Sequence, residues 1–167
     1  FVKAVGVNAA LAMAGGPASA RELVLSPVRL FAVIRIADSL TDGISYFYAE
    51  VQRLRALLDA ADEAERPGEA TLLFLIDELF RGTNNRERLL GSREILRELA
   101  GRPVAGLVAT HDLELAALAD EIGAVRNLHF CDNVEGDRMI FDFRVRAGPC
   151  PSTNALRIMR RAGLPTP

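Results

Sequence analysis

The sequence is poor in cysteine, with two among its 167 residues, Cys131 and Cys150. No metal-ligand spacing links them, and two cysteines in a domain of this size exclude a disulfide framework. The expectation is a pair of free thiols in a reducing cytosol, hence a cytoplasmic protein. An excess of one charge is also missing: 20 Lys and Arg stand against 22 Asp and Glu, a formal net charge of −2. Such a balance carries no electrostatic footprint for nucleic acid, because phosphate contacts need clustered Lys and Arg. It also excludes a polybasic membrane anchor. No apolar run reaches the roughly 20 residues of a transmembrane helix, so no membrane segment is expected. Phe1 to Ala14 is apolar but lacks the basic n-region of a signal peptide. The chain does not begin with Met and reads as a piece of something longer. No internal repeat and no low-complexity segment occur. What is present is a 50% hydrophobic composition, enough for one domain with a substantial core.

The apolar pattern predicts an α/β fold. Val2, Val5, Ala9, Ala12 and Met13 fall at helical spacing and predict a buried helix ending at Gly15-Gly16-Pro17. Arg21 to Leu25 and Val28 to Ile36 read as two strands around Ser26-Pro27. Asp38 to Ser45 reads as a polar loop. Tyr46 to Glu65 reads as a long helix with Phe47, Val51, Leu54 and Leu58 on its apolar stripe. Thr71 to Ile76 is a continuous apolar run, as expected of a strand buried on both faces of a parallel sheet. A polar loop through Arg81-Gly82-Thr83-Asn84 leads to a helix from about Asn85 to Ala100, with Leu89, Ser92, Leu96 and Leu99 on one side. Val104 to Ala109 reads as a second buried strand, and Asp112 as the cap of a short helix to Asp120. Val125 to Cys131 and Met139 to Val145 predict a hairpin turning near Glu135-Gly136-Asp137. Ser152 or Thr153 caps a last helix ending at Gly163. Strands alternating with helices imply a mostly parallel sheet flanked by helices, with antiparallel strands near both ends.

In open α/β sheets ligands bind at the carboxyl ends of the strands. The apolar run ends in Asp77-Glu78. Two adjacent carboxylates after six apolar residues call for compensation, and Mg²⁺, a hard cation bound through carboxylate and water, supplies it. The second carboxylate can then orient and deprotonate a water for attack on a γ-phosphate. This is the Walker B pattern; the plain alternative is a strand that ends in a charged turn. The strand from Val104 ends near His111, whose neutral imidazole can hydrogen-bond a γ-phosphate oxygen or the attacking water. A lone His is otherwise a satisfied core or capping residue. Gly43 and Ser45, just before a helix start, offer backbone amides and a hydroxyl for an anion, or ordinary capping. Arg81, Arg86, Arg88, Arg93 and Arg97 read as a solvated face, interleaved with Glu87, Glu94 and Glu98.

Taken in order, these segments resemble the ATPase domain of the MutS DNA mismatch-repair family. The carrying residues are LFLIDELFRGTNNRERLL (Leu73 to Leu90), LVATHDLELAAL (Leu107 to Leu118) and, upstream, ADSLTDGISYFYAEV (Ala37 to Val51). Asp77, Glu78, Arg81, Gly82 and Thr83 match the family's Walker B and its Arg-Gly-Thr. Ala109, Thr110 and His111 match its Ala-Thr-His. Asp38, Gly43, Ser45, Phe47 and Glu50 match its signature segment. Phe1 to Ala20 is similar to the helix that follows the phosphate loop, so the resemblance covers nearly the whole chain.

The resemblance implies a P-loop NTPase-like fold of the ABC type and a cofactor pair of ATP and Mg²⁺. It implies a homodimer packed head to tail through the ATPase face, with ATP sandwiched between the subunits. Asp77 would support Mg²⁺, Glu78 would polarise the water and His111 would sense the γ-phosphate. Ser45 would reach the other subunit's nucleotide, Gly43 would belong with it to the nucleotide-binding set together with Arg81, Gly82 and Thr83, and the Arg81 to Asn84 loop would lie at the interface. Mismatched or branched DNA would be engaged by domains outside this chain. The sequence departs from the family in having no G-x-x-x-x-G-K-[ST]; residues 1–167 are read as the C-terminal part of the domain, after that loop and its strand. Phe80 and Asn84-Asn85 replace smaller or hydroxyl residues, which suggests a divergent member. A non-catalytic dimerisation module keeping this architecture is the alternative. A transporter nucleotide domain ranks lower, because Leu-Ser-Gly-Gly-Gln is absent.

Overall fold

The computed structural model describes residues 1–34, 46–80, 82–135, 138–151, 159 and 163–165. Its elements run α1 (Val2–Met13), β1 (Val28–Val33), α2 (Tyr46–Ala64), β2 (Thr71–Asp77), α3 (Asn85–Ala100) and β3 (Ala105–Ala109), then a 3-10 turn (Leu113–Ala117), α4 (Leu118–Glu121), β4 (Leu128–Glu135) and β5 (Arg138–Ala147). The chain divides into two compact units, Phe1–Leu115 and Ala116–Pro167.

In the first unit β1, β2 and β3 form a parallel sheet with β2 in the middle. Six apolar residues in a row place hydrophobic groups on both faces of a strand, so β2 must be covered twice. Leu72, Phe74 and Ile76 join Val33 of β1 in a cluster with Leu54, Leu57 and Ala61 of α2 and Leu99 of α3. The opposite face carries Leu75, against which α1 lies so closely that a Cβ on Gly6 would come within 2.5 Å of Leu75 Cδ1. The result is three layers: α1, the sheet, and the pair α2 and α3. On β3, Gly106 stands beside Phe74, and a Cβ there would overlap the edge of the ring.

The helix starts and stops follow from local chemistry. Asn84 caps α3, its side-chain oxygen accepting the Glu87 N–H at 3.0 Å, while Thr83 Oγ1 donates to Glu87 Oε2 at 2.6 Å. Such a cap is worth about 1 kcal/mol. Arg102, after α3, donates to the Leu58 carbonyl at 2.9 Å and pairs with Asp62 and Glu98, tying the ends of α2 and α3 together.

Two expectations are corrected. Arg21 to Leu25 is not a strand: among the described residues nothing pairs with it, and Leu23 and Val24 are exposed. β-propensity without a ladder partner leaves an extended segment. Antiparallel pairing is therefore found, among the described residues, only toward the C-terminus. The buried stripe of α2 is Glu50, Leu54, Leu57 and Ala61, one position round from the expected one, and Phe47 is 41% exposed. The expected last helix falls mostly outside the described residues.

In the second unit β4 and β5 pair antiparallel, with an irregularity between Phe130 and Asp132. His129 Nδ1 donates to the Gly148 carbonyl at 2.9 Å, and Asn127 donates to the Ala116 carbonyl at 2.7 Å. Arg146 pairs with Asp142. The Arg146 hydrogen bond, then the Arg144 backbone N–H, lower the Asp142 carboxyl to about 2.

Candidate functional site

The site lies where β2 and β3 end. Asp77 is the last residue of β2 and pairs in register with Ala109, the last residue of β3. The next N–H, from Glu78, donates to the Ala109 carbonyl at 2.9 Å. The two strands thus release their chains side by side, and Glu78 and His111 meet: Glu78 Oε1 is 2.5 Å from His111 Nδ1. The carboxylate is the more sheltered partner, with its side chain 28% exposed against 68% for the imidazole. With Glu78 ionised, Nδ1 carries the proton, because a carboxylate only accepts. Nε2 is then the nitrogen left to face a ligand.

The backbone here is unusual. Glu78 has φ 66° and Phe80 φ 54°, both left-handed without being glycine. Each such residue costs on the order of 1–3 kcal/mol and persists only when its surroundings over-determine it. The supports are visible. Glu78 is held by Ala109 and His111. The Phe80 N–H donates to Glu50 Oε1 at 2.5 Å, and the Thr83 N–H donates to the Phe80 carbonyl at 3.3 Å.

Asp77 turns to the α1 face, where Lys3 Nζ lies 3.2 Å from its carboxylate. On the β3 side, the Asp112 N–H donates to Thr110 Oγ1 at 3.0 Å and the Glu114 N–H to Asp112 Oδ1 at 3.1 Å. These turns fix the backbone on both sides of His111, and Asp112 caps the short helical segment as expected. An open groove of about 710 Å³ runs beside them, lined by Asn85, Arg86, Arg88 and Leu89 of α3 and by residues His111 to Glu114.

Of the residues singled out in the sequence, the structure brings Glu78 and His111 into contact, while Asp77, the neighbour of Glu78 at the end of β2, turns its carboxylate to Lys3. Gly82 is exposed, and Thr83 engages Glu87 at the start of α3. Gly43, Ser45 and Arg81 lie outside the described residues. Among the described residues no cluster of three or more His, Cys, Asp or Glu is arranged to hold a metal. Two residues next to the acid pair escaped the sequence reading. Lys3 is the only charged residue of α1, and that isolation was its one signal. Glu50 was read as part of a motif, although it falls on the buried stripe one and two turns before Leu54 and Leu57.

The fold and the site define an α/β protein whose chemistry-bearing groups gather at the carboxyl ends of adjacent parallel strands. The chain matches MutS domain V over residues 1–167 and belongs to that family. It is 33% identical over 170 residues to the DNA mismatch repair protein MutS 2 of Halobacterium salinarum, an alignment covering 100% of this chain and 19% of that protein. The chain thus spans less than a fifth of the relative's length. No helix among the described residues is long and apolar enough to cross a membrane.

Proposed function

We propose that this chain is the hydrolytic part of an ATP-binding domain, of P-loop NTPase type, in a MutS-related DNA repair or recombination protein. The observation that carries the reading is the 2.5 Å contact between Glu78 and His111 at neighbouring strand ends, one residue beyond Asp77. A carboxylate there can orient a water and take its proton, and an imidazole beside it can meet a phosphate oxygen.

Asp77 fits a role toward Mg²⁺. Its carboxylate already gathers a cation, the Lys3 ammonium, and one or two carboxylates are the usual protein share of a magnesium site. Mg²⁺, when bound, supplies charge neutralisation for the nucleotide phosphates. Asp77 would hold it, and Lys3 would then give up part of its contact.

The rest of the reading follows the family. Residues 1–167 form the part of the domain after the phosphate loop. A second copy packs head to tail and sandwiches ATP, with Ser45 reaching the partner's nucleotide and the Arg81 to Asn84 loop at the interface. Nucleotide state is coupled to DNA by other domains, in a cytoplasmic setting with which two cysteines outside any disulfide agree. The second reading is an interaction module without catalysis that keeps this architecture. Phosphate release by the full-length protein separates the two. Turnover that requires both ATP and Mg²⁺ supports hydrolysis, and its absence from the dimeric protein supports the module.

A further inference from the structure

Phe80 is gripped from two helices. From α2, the Glu50 carboxylate accepts its N–H at 2.5 Å, and the Phe47 ring lies 6.2 Å from its own, centroid to centroid. From α3, Gly91 leaves just enough room for the ring: a Cβ there would stand 2.9 Å from Cε2 and 3.2 Å from Cδ2. Glu50 is 2% exposed on a helix face otherwise made of Leu54, Leu57 and Ala61. A carboxylate is desolvated in such a place only where hydrogen bonds compensate. Here one compensating donor, to Oε1, is the amide of a residue with φ 54°, two positions after Glu78.

We propose that Glu50 is a positioning residue. Through the Phe80 amide it holds the segment Glu78–Phe80, left-handed at Glu78 and at Phe80, in the conformation that brings Glu78 to His111. The same bond ties the first turns of α2, which follow the residue 39–45 segment, to the acid pair. A shift of α2 along its axis therefore moves the Glu78 carboxylate. This makes α2 the element through which events at its N-terminal end reach hydrolysis. The inference rests on reading Glu78 and His111 as the hydrolytic pair, and its test separates the two.

In the full-length protein, kcat and KM for MgATP are measured together with hydrogen exchange in the peptide spanning Asp77 to Phe80 and with Tm. Glu50→Met removes the acceptor. It is expected to lower kcat by about 10- to 100-fold, as small misplacements of catalytic groups do, with KM within about threefold. Exchange in the peptide should quicken. Glu50→Gln keeps an acceptor oxygen and should restore both readouts. Gly91→Ala presses on the Phe80 ring from α3 and should lower kcat with α2 untouched; adding Phe80→Leu, which removes the clashing ring atoms, should recover it. Wild-type kcat in Glu50→Met, or a loss that Gln does not rescue, overturns the proposal. If Glu50→Met does not fold, Gly91→Ala decides, and unchanged kcat there overturns it as well. Glu78→Gln is run alongside. Full turnover in that variant defeats the hydrolytic reading and this role with it. Lost turnover there beside normal turnover in Glu50→Met defeats the positioning role alone.

Discussion

Glu78 Oε1 and His111 Nδ1 lie 2.5 Å apart, although 33 residues separate them in the chain. The pairing of Asp77 with Ala109 brings them there, and the Glu78 N–H on the Ala109 carbonyl locks the two strand ends at the point where they diverge. The imidazole thereby gains a fixed orientation, with Nδ1 on the acid and Nε2 turned away from it.

His111→Ala in the full-length protein is expected to reduce ATP turnover by about 100-fold, the scale of a positioned acid–base group. His111→Asn, whose amide can still donate to Glu78, should lose less. Steady-state phosphate release measures both, and equal losses would show that the contact with Glu78 contributes nothing.

The acid pair was legible because its strand is unambiguous: Thr71 to Ile76 admits no amphipathic reading, and the charge that ends it is abrupt. Helix α3 was legible through the spacing of Leu89, Ser92, Leu96 and Leu99 and the polar loop before it, both local signals. What escaped depends on tertiary partners. Hydropathy places Glu50 outside, and the Phe80 N–H that meets it inside comes from 30 residues away in the chain. Lys3 sits in a helix read for its apolar spacing, and its partner Asp77 is on another element. Arg21 to Leu25 has strand-like residues, and among the described residues no ladder forms on them. The expected head-to-tail dimer rests on residues of this chain and on a second copy together, so a single chain does not display it.

Leu57 is fully buried between α2 and the sheet. Leu57→Ala should destabilise the fold by about 2–5 kcal/mol through lost apolar contact and the cavity left behind. Urea unfolding followed by circular dichroism checks this, and a loss well below that range would mean that the layers collapse onto the gap.

Asp142 is held at about 2 by Arg146 and the Arg144 N–H, against a usual value of 3.8. A carboxyl lowered on folding contributes stability above its unfolded value and loses it as pH falls through the folded one. The hairpin of β4 and β5 should therefore weaken progressively between about pH 4 and pH 2. Carboxyl chemical shifts of Asp142, followed through an acid titration, read this directly. Arg146→Gln should move the midpoint up toward the ordinary range.

The 167 residues contain no phosphate-cradling loop. Titration calorimetry on the isolated chain is expected to show no ATP binding at micromolar concentrations, since the amides and lysine that hold the phosphates are missing. Micromolar binding would mean that other residues of this chain grip the nucleotide.

The central claim is that Glu78 activates water for hydrolysis, and Glu78→Gln in the full-length protein tests it most directly, with turnover and ATP affinity measured on the same preparation. The account predicts a fall in turnover of about 10²- to 10⁴-fold with ATP affinity changed by no more than about threefold. Undiminished turnover in that variant would contradict it.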